Sequence, residues 1–181
     1  GIYLFEPEIF SLIPREGTYD FGRELFPKLV ELDAPFFGYQ MEGYWSDVGS
    51  IEAYRESCLD AVTGKIQLPL AATRIDPEIM IQGQVEIHPS SQIHGPVLLG
   101  AGTKIEEGAN LVGPLSVGPG SIIKQGAQLE GCVLWEKVIV GEGATCQEAI
   151  VGSGVEIPRN AEIGHGEVIV AKEEAVCDCC G

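Results

Sequence analysis

The chain has 181 residues, 45% of them hydrophobic, and a formal net charge of −16. That size suits one or two small domains with a packed core, and the acidity excludes nucleic acid and anionic membrane as partners of the surface as a whole. No apolar run reaches membrane-spanning length and no basic start with a small-residue cleavage site opens the chain, so a cytoplasmic protein is expected.

The sequence starts without Met, directly in the apolar run Ile2-Tyr3-Leu4-Phe5, which reads as a strand and suggests an excised piece of a longer protein. Pro7 opens a short helical turn through Ile9, Phe10 and Leu12 that ends at Pro14. Asp20 is placed to cap a turn carrying Phe21 and Leu25, and Pro27 restarts a helix through Leu29, Val30 and Leu32. Phe37, Tyr39 and Met41 alternate as a strand, Glu42-Gly43 turns it, and Tyr44 to Val48 returns. Ser50 then caps a helix from Ile51 to about Val62, which Gly64 stops. Residues 65–80, with Pro69 and Pro77, read as a linker.

From Ile81 onward an aliphatic residue returns at nearly every sixth position: Ile81, Ile87, Ile93, Leu99, Ile105, Leu111, Val117, Ile123 and Leu129 follow without a slip. The series steps by five to Leu134, resumes at Val140 and Cys146, steps by five again to Val151, and ends through Ile157, Ile163 and Ile169. Neither a helix nor a lone strand has this period; a repeated strand-plus-corner unit does. Three residues after most ladder positions stands a glycine, or once Asn160, at a corner that favours positive φ. Three such hexads close one triangular coil, so the ladder gives about five coils over 81–171. The pattern resembles the left-handed parallel β-helix of the hexapeptide-repeat proteins, the hand being implied by that resemblance alone.

Of six cysteines, Cys132 and Cys146 fall in the ladder as small buried hydrophobes, and Cys177, Cys179 and Cys180 crowd the tail 172–181. That tail has no second Cys or His pair at metal-ligand spacing, so a reduced protein is expected.

Chemistry points to Gly43-Tyr44-Trp45-Ser46-Asp47-Val48-Gly49-Ser50. A carboxylate at a strand end, followed by Gly and a capped helix, suits Mg²⁺ held by one protein oxygen, phosphates and water. The same Asp suits a turn in which its side chain accepts backbone hydrogen bonds near Gly49.

That motif, with Gly1-Ile2-Tyr3-Leu4-Phe5-Glu6-Pro7 and Asp20-Phe21-Gly22-Arg23-Glu24-Leu25-Phe26-Pro27-Lys28-Leu29, resembles the second half of a sugar-nucleotide pyrophosphorylase. The likeness is greatest to the mannose-1-phosphate guanylyltransferase-like branch, which carries a hexapeptide-repeat domain after its catalytic domain. It implies that residues 1–64 are the C-terminal part of an α/β nucleotidyltransferase domain and 81–171 its β-helix. It further implies Asp47 as a ligand of a catalytic Mg²⁺, with Gly1 and Tyr3 bordering the sugar-phosphate pocket. The implied reaction is attack of a sugar 1-phosphate on the α-phosphorus of an NTP, giving an NDP-sugar (GDP-mannose) and pyrophosphate. The β-helix would serve assembly into a homo-oligomer or regulation. The family's Gly-rich triphosphate loop, first metal-binding Asp and phosphate-binding Lys have no counterpart here, so the chain alone is expected to be inactive.

Two rival readings stand beside this one. A noncatalytic homologue would use the β-helix for oligomerisation or regulator binding. An acyltransferase would need a histidine base, and His88, His94 and His165 are the candidates; His88 and His94 each follow a ladder residue and are expected to point to solvent from a corner.

Overall fold

The computed structural model describes residues 2–171, which fall into two compact units divided between Gly43 and Tyr44; Gly1 and the cysteine tail lie outside the described residues. In the first unit, Pro7–Leu12 forms a 3₁₀ helix. The Asp20 carboxylate accepts from the Arg23 amide at 2.7 Å, and the Asp20 amide donates to the Glu24 side chain at 3.0 Å. This reciprocal cap starts a π-type turn, Phe21–Leu25, that runs into helix α1, Phe26–Glu31, with Leu25 and Leu29 buried. Tyr3, Phe5, Phe21 and Phe26 pack their rings at centroid distances between 5.0 and 6.5 Å.

The strands expected at Ile2–Phe5 and across 37–48 do not form. A strand exists through its ladder hydrogen bonds, and among the described residues no neighbouring strand lies beside either segment. The alternating apolar residues Phe37, Tyr39 and Met41 are all exposed, so side-chain alternation alone did not establish a strand.

In the second unit, helix α2, Ile51–Thr63, begins where the Ser50 hydroxyl accepts from the Ala53 amide at 3.1 Å and ends at Gly64 with φ +81°. Within 65–80, Thr73–Asp76 pairs antiparallel with Ile79–Ile81 and forms the outermost strand of the largest sheet. Everything after it is a parallel β-solenoid of three sheets. Sheet A stacks Ile79–Ile81, Val97–Leu99, Leu115–Val117, Val133–Leu134, Ile150–Val151 and Val168–Ile169. Sheets B and C hold five strands each, beginning at Glu86–Ile87 and Gln92–His94.

The ladder is the register of these sheets. Ile81 pairs with Leu99, Leu99 with Val117, Val117 with Leu134, Leu134 with Val151, and Val151 with Ile169. Sheet B stacks Ile87, Ile105, Ile123, Val140 and Ile157 in the same way, and sheet C stacks Ile93, Leu111, Leu129, Cys146 and Ile163. Most of these side chains are fully buried, each contributing about 1.5–3 kcal/mol relative to exposure. The corner glycines at 102, 108, 120, 126, 143, 154 and 166 all have φ between +65° and +76°, and Asn160 has +55°. Two corners break the sequence rule: Lys137 and Glu148 adopt +57° and +48° with a Cβ in place.

The five-residue steps are shortened corners between sheets C and A. Where Gly113-Pro114 stands between Val112 and the inward Leu115, Gly131 alone stands between Glu130 and the equivalent Cys132, and Glu148 alone between Gln147 and the equivalent Ala149. The inward column at this edge shrinks accordingly, from Leu115 through Cys132 to Ala149, all fully buried. A shorter perimeter encloses less volume, and smaller side chains fill it without strain.

Glycine is required for two different reasons in these corners. A Cβ on Gly118 would meet the Trp135 carbonyl carbon of the next coil at 2.4 Å, whereas one on Gly154 meets nothing and only suffers φ +68°. Gly154→Ala is expected to cost about 1–2 kcal/mol in urea denaturation, and Gly118→Ala clearly more, because backbone must move. Equal midpoints for the two variants would contradict this packing.

Candidate functional site

The segment Tyr44–Ser50 is strapped to helix α2. Tyr44 Oη donates to Asp60 Oδ2 at 3.0 Å, Ser57 Oγ donates to Ser46 Oγ at 3.0 Å, and Ser50 caps the helix. Lys65 Nζ completes the strap at 2.7 Å from Asp60 Oδ1, and its hydrogen bond, with that of Tyr44, holds the Asp60 carboxyl below its ordinary range against a partial desolvation.

Between these anchors Asp47 is exposed. The Gly49 amide donates to the Asp47 backbone carbonyl at 2.8 Å, so the turn is closed by the main chain. The carboxylate itself accepts no hydrogen bond from the described residues. The turn-Asp alternative thus loses its defining contact, and a free carboxylate oxygen stands on a tethered loop. Among the described residues no three His, Cys, Asp or Glu side chains group as a metal cage. Asp47 therefore fits Mg²⁺ in the manner of a single protein oxygen completed by phosphates and water, and does not fit an all-protein site. Tyr3 is half exposed within its aromatic cluster in the first unit, and Gly1 is outside the described residues.

Helix α2 sits on the outer face of sheet A. Leu59 packs with Val133 and Ile150, flanked by Tyr54 and Cys58. Trp135 Nε1 donates to Tyr54 Oη at 3.1 Å, with the rings edge-to-face at 6.3 Å. Arg55, whose side chain is 14% exposed, donates to the Gly131 carbonyl at 2.9 Å and to Glu148 Oε2 at 3.3 Å. Sequence reasoning missed Arg55, Trp135 and Glu148. One signal was present: Trp135 stands where Gly100, Gly118 and Gly152 follow their own sheet A ladder residues, so its ring serves something outside the solenoid.

The three histidines are all exposed. His88 Nδ1 accepts from the Ser90 amide at 3.2 Å within its own corner, and His165 Nδ1 lies 2.6 Å from Glu148 Oε2. Cys132 and Cys146 are buried; desolvation raises both thiols, Cys146 to about 12. No helix of the described residues is long and apolar enough to cross a membrane.

Residues 1–63 match the nucleotidyl transferase family, and residues 93–180 match the GMPPB C-terminal domain. A UTP–glucose-1-phosphate uridylyltransferase of Synechocystis sp. is 33% identical over 153 residues, covering 83% of this chain and 39% of that protein. The chain belongs to the sugar-nucleotide pyrophosphorylase family. A glucose-1-phosphate adenylyltransferase of Acetivibrio thermocellus is 28% identical over 180 residues, covering 93% of this chain and 41% of that protein. The chain thus spans about two fifths of the length of these curated relatives. Among solved structures, a perosamine N-acetyltransferase from Caulobacter crescentus aligns with a TM-score of 0.45 at 20% identity, over 53% of this chain and 49% of that one.

Two outcomes follow from the site. Because the Asp60 carboxyl is held low, its pairing with Lys65 stabilises the strap at neutral pH and is lost as pH falls below about 4. Asp60→Asn is then expected to lower Tm at pH 7, with a deficit that narrows as pH falls through the acid range below about 4; a deficit unchanged across that range would discount the ion pair. Iodoacetamide at pH 8 is expected to leave Cys132 and Cys146 unlabelled in the folded chain and to label both in urea, read by peptide mass.

Proposed function

We propose that this chain is part of an enzyme that joins a sugar 1-phosphate to an NTP, releasing an NDP-sugar and pyrophosphate, with GDP-mannose as product. One observation carries the reading: within the segment that matches the nucleotidyl transferase family, the Asp47 carboxylate is tethered on a loop and accepts no hydrogen bond from the described residues. Mannose and guanosine rest on the motif likeness, since the curated relatives act on glucose 1-phosphate with uridine or adenosine nucleotides by name.

In this reading Asp47 supplies one oxygen to Mg²⁺, which when bound offsets charge on the phosphates. The chain's own work is positional: α2 and its Tyr44, Ser46 and Ser50 contacts hold Asp47 in place before substrate arrives. Tyr3 and Gly1 are proposed to border the sugar phosphate. Exposed Ile2, Leu4, Phe37 and Tyr39 support a part that further polypeptide of the same domain covers.

The β-helix is proposed to serve self-association. Ile122 and Ile139 are paired on sheet B and neighbour the inward Ile123 and Val140, so they face outward as an apolar pair between Lys104 and Glu156. Sedimentation of the chain is expected to show an oligomer that Ile139→Lys weakens; a parent that sediments as a monomer contradicts this.

The 181-residue chain alone is expected to form no NDP-sugar. In a polypeptide that joins it to a Gly-rich triphosphate loop, GTP with mannose 1-phosphate should release pyrophosphate. Asp47→Asn there should reduce kcat by about two orders of magnitude or more, the scale of several kcal/mol of charge stabilisation. Turnover of UTP or ATP with glucose 1-phosphate in preference would replace the mannose assignment, and full activity of the Asp47 variant would remove its metal role.

A further inference from the structure

Gly131, Glu148 and His165 occupy the same edge of three successive coils, between sheets C and A. At Gly131 the left-handed backbone costs little; at Glu148 the same turn, with φ +48°, carries a full side chain. Corner geometry by itself favours glycine at 148. A side chain retained at such a corner directs attention to what it touches.

It touches two other elements. Arg55 of α2 reaches Glu148 Oε2 at 3.3 Å while its other nitrogen donates to the Gly131 carbonyl at 2.9 Å, and His165 Nδ1 meets the same Oε2 at 2.6 Å. One mostly buried guanidinium thus ties helix α2 to two coils, and the carboxylate extends the tie to a third. A cavity of about 130 Å³ lies beside this junction, lined by Ile51, Glu52, Ile150 and Glu167 as well as Arg55, Glu148 and His165, so no packed apolar seam replaces the tie there.

We propose that Arg55 and Glu148 form a latch that positions α2, and through it the Tyr44–Ser50 segment, on the edge of the solenoid, and that Glu148 retains its unfavourable backbone for this purpose. The latch accounts for the non-glycine corner, for the near-burial of Arg55, and for the bidentate use of its guanidinium across two coils. It does not depend on Asp47 binding a metal.

Amide hydrogen exchange of the 181-residue chain tests it, because local opening of α2 can be read apart from the coils. Glu148→Gly relieves the strained corner and removes the latch. Exchange across 51–63 is expected to accelerate by about fivefold or more, the change for a lost charge-assisted contact, while coils between 97 and 140 stay unchanged. Glu148→Gln, which keeps an acceptor oxygen for Arg55, should recover much of the protection. Arg55→Met should reproduce the Glu148→Gly effect, and the double variant should be no worse than either single one. Unchanged or slower exchange of α2 in Glu148→Gly, additive effects of the pair, or no recovery with Gln would each overturn the proposal.

Discussion

The structure depends on one repeated constraint: a parallel ladder sets neighbouring strands about 4.8 Å apart, so every inward side chain must stack on its counterpart one coil earlier. Leu99 on Val117 on Leu134 is one such column, and three columns together make the core. No residue of the solenoid can be placed independently of those 17 or 18 positions away. The close approach at Gly118, where the next coil's main chain leaves no room for a Cβ, comes from the same stacking.

Helix α2 uses that regularity as a platform. The outer face of sheet A offers Val133 and Ile150 at fixed spacing, and Leu59 packs with them. Besides the Lys137 corner, the solenoid departs from its own rules at two places: Trp135 replaces a column glycine and Glu148 twists a Cβ into a left-handed corner. Both reach toward α2. Two of the three departures thus lie where the repeat meets the helix to which the Asp47 loop is tethered.

Much of this was legible in the residues. The six-residue period gave the coils and the five-residue steps gave their shortened corners, because each inward position demands an aliphatic and most corners demand glycine or asparagine. Ser50 and Gly64 marked the ends of α2, since capping is a local matter settled within a turn. The strand readings at 2–5 and 37–48 failed because pairing depends on a distant partner that alternation does not reveal. The tie between Arg55 and Glu148 spans 93 residues of sequence, and no local pattern encodes it. Asp47 was legible as a residue with a motif around it; that its turn is closed by backbone and its carboxylate left free required coordinates.

The narrowing column of Leu115, Cys132 and Ala149 has a consequence for how such a chain can change over generations. Corner length and interior volume are coupled: removing one residue from a corner draws the wall inward, and a large side chain left behind would have nowhere to go. A deletion at an edge and a reduction in bulk just after it therefore fit together, while either alone leaves a clash or a void. Insertions and deletions in a solenoid of this kind should travel with a size change one or two positions downstream, a signature that conventional views of loops as freely variable spacers would not anticipate.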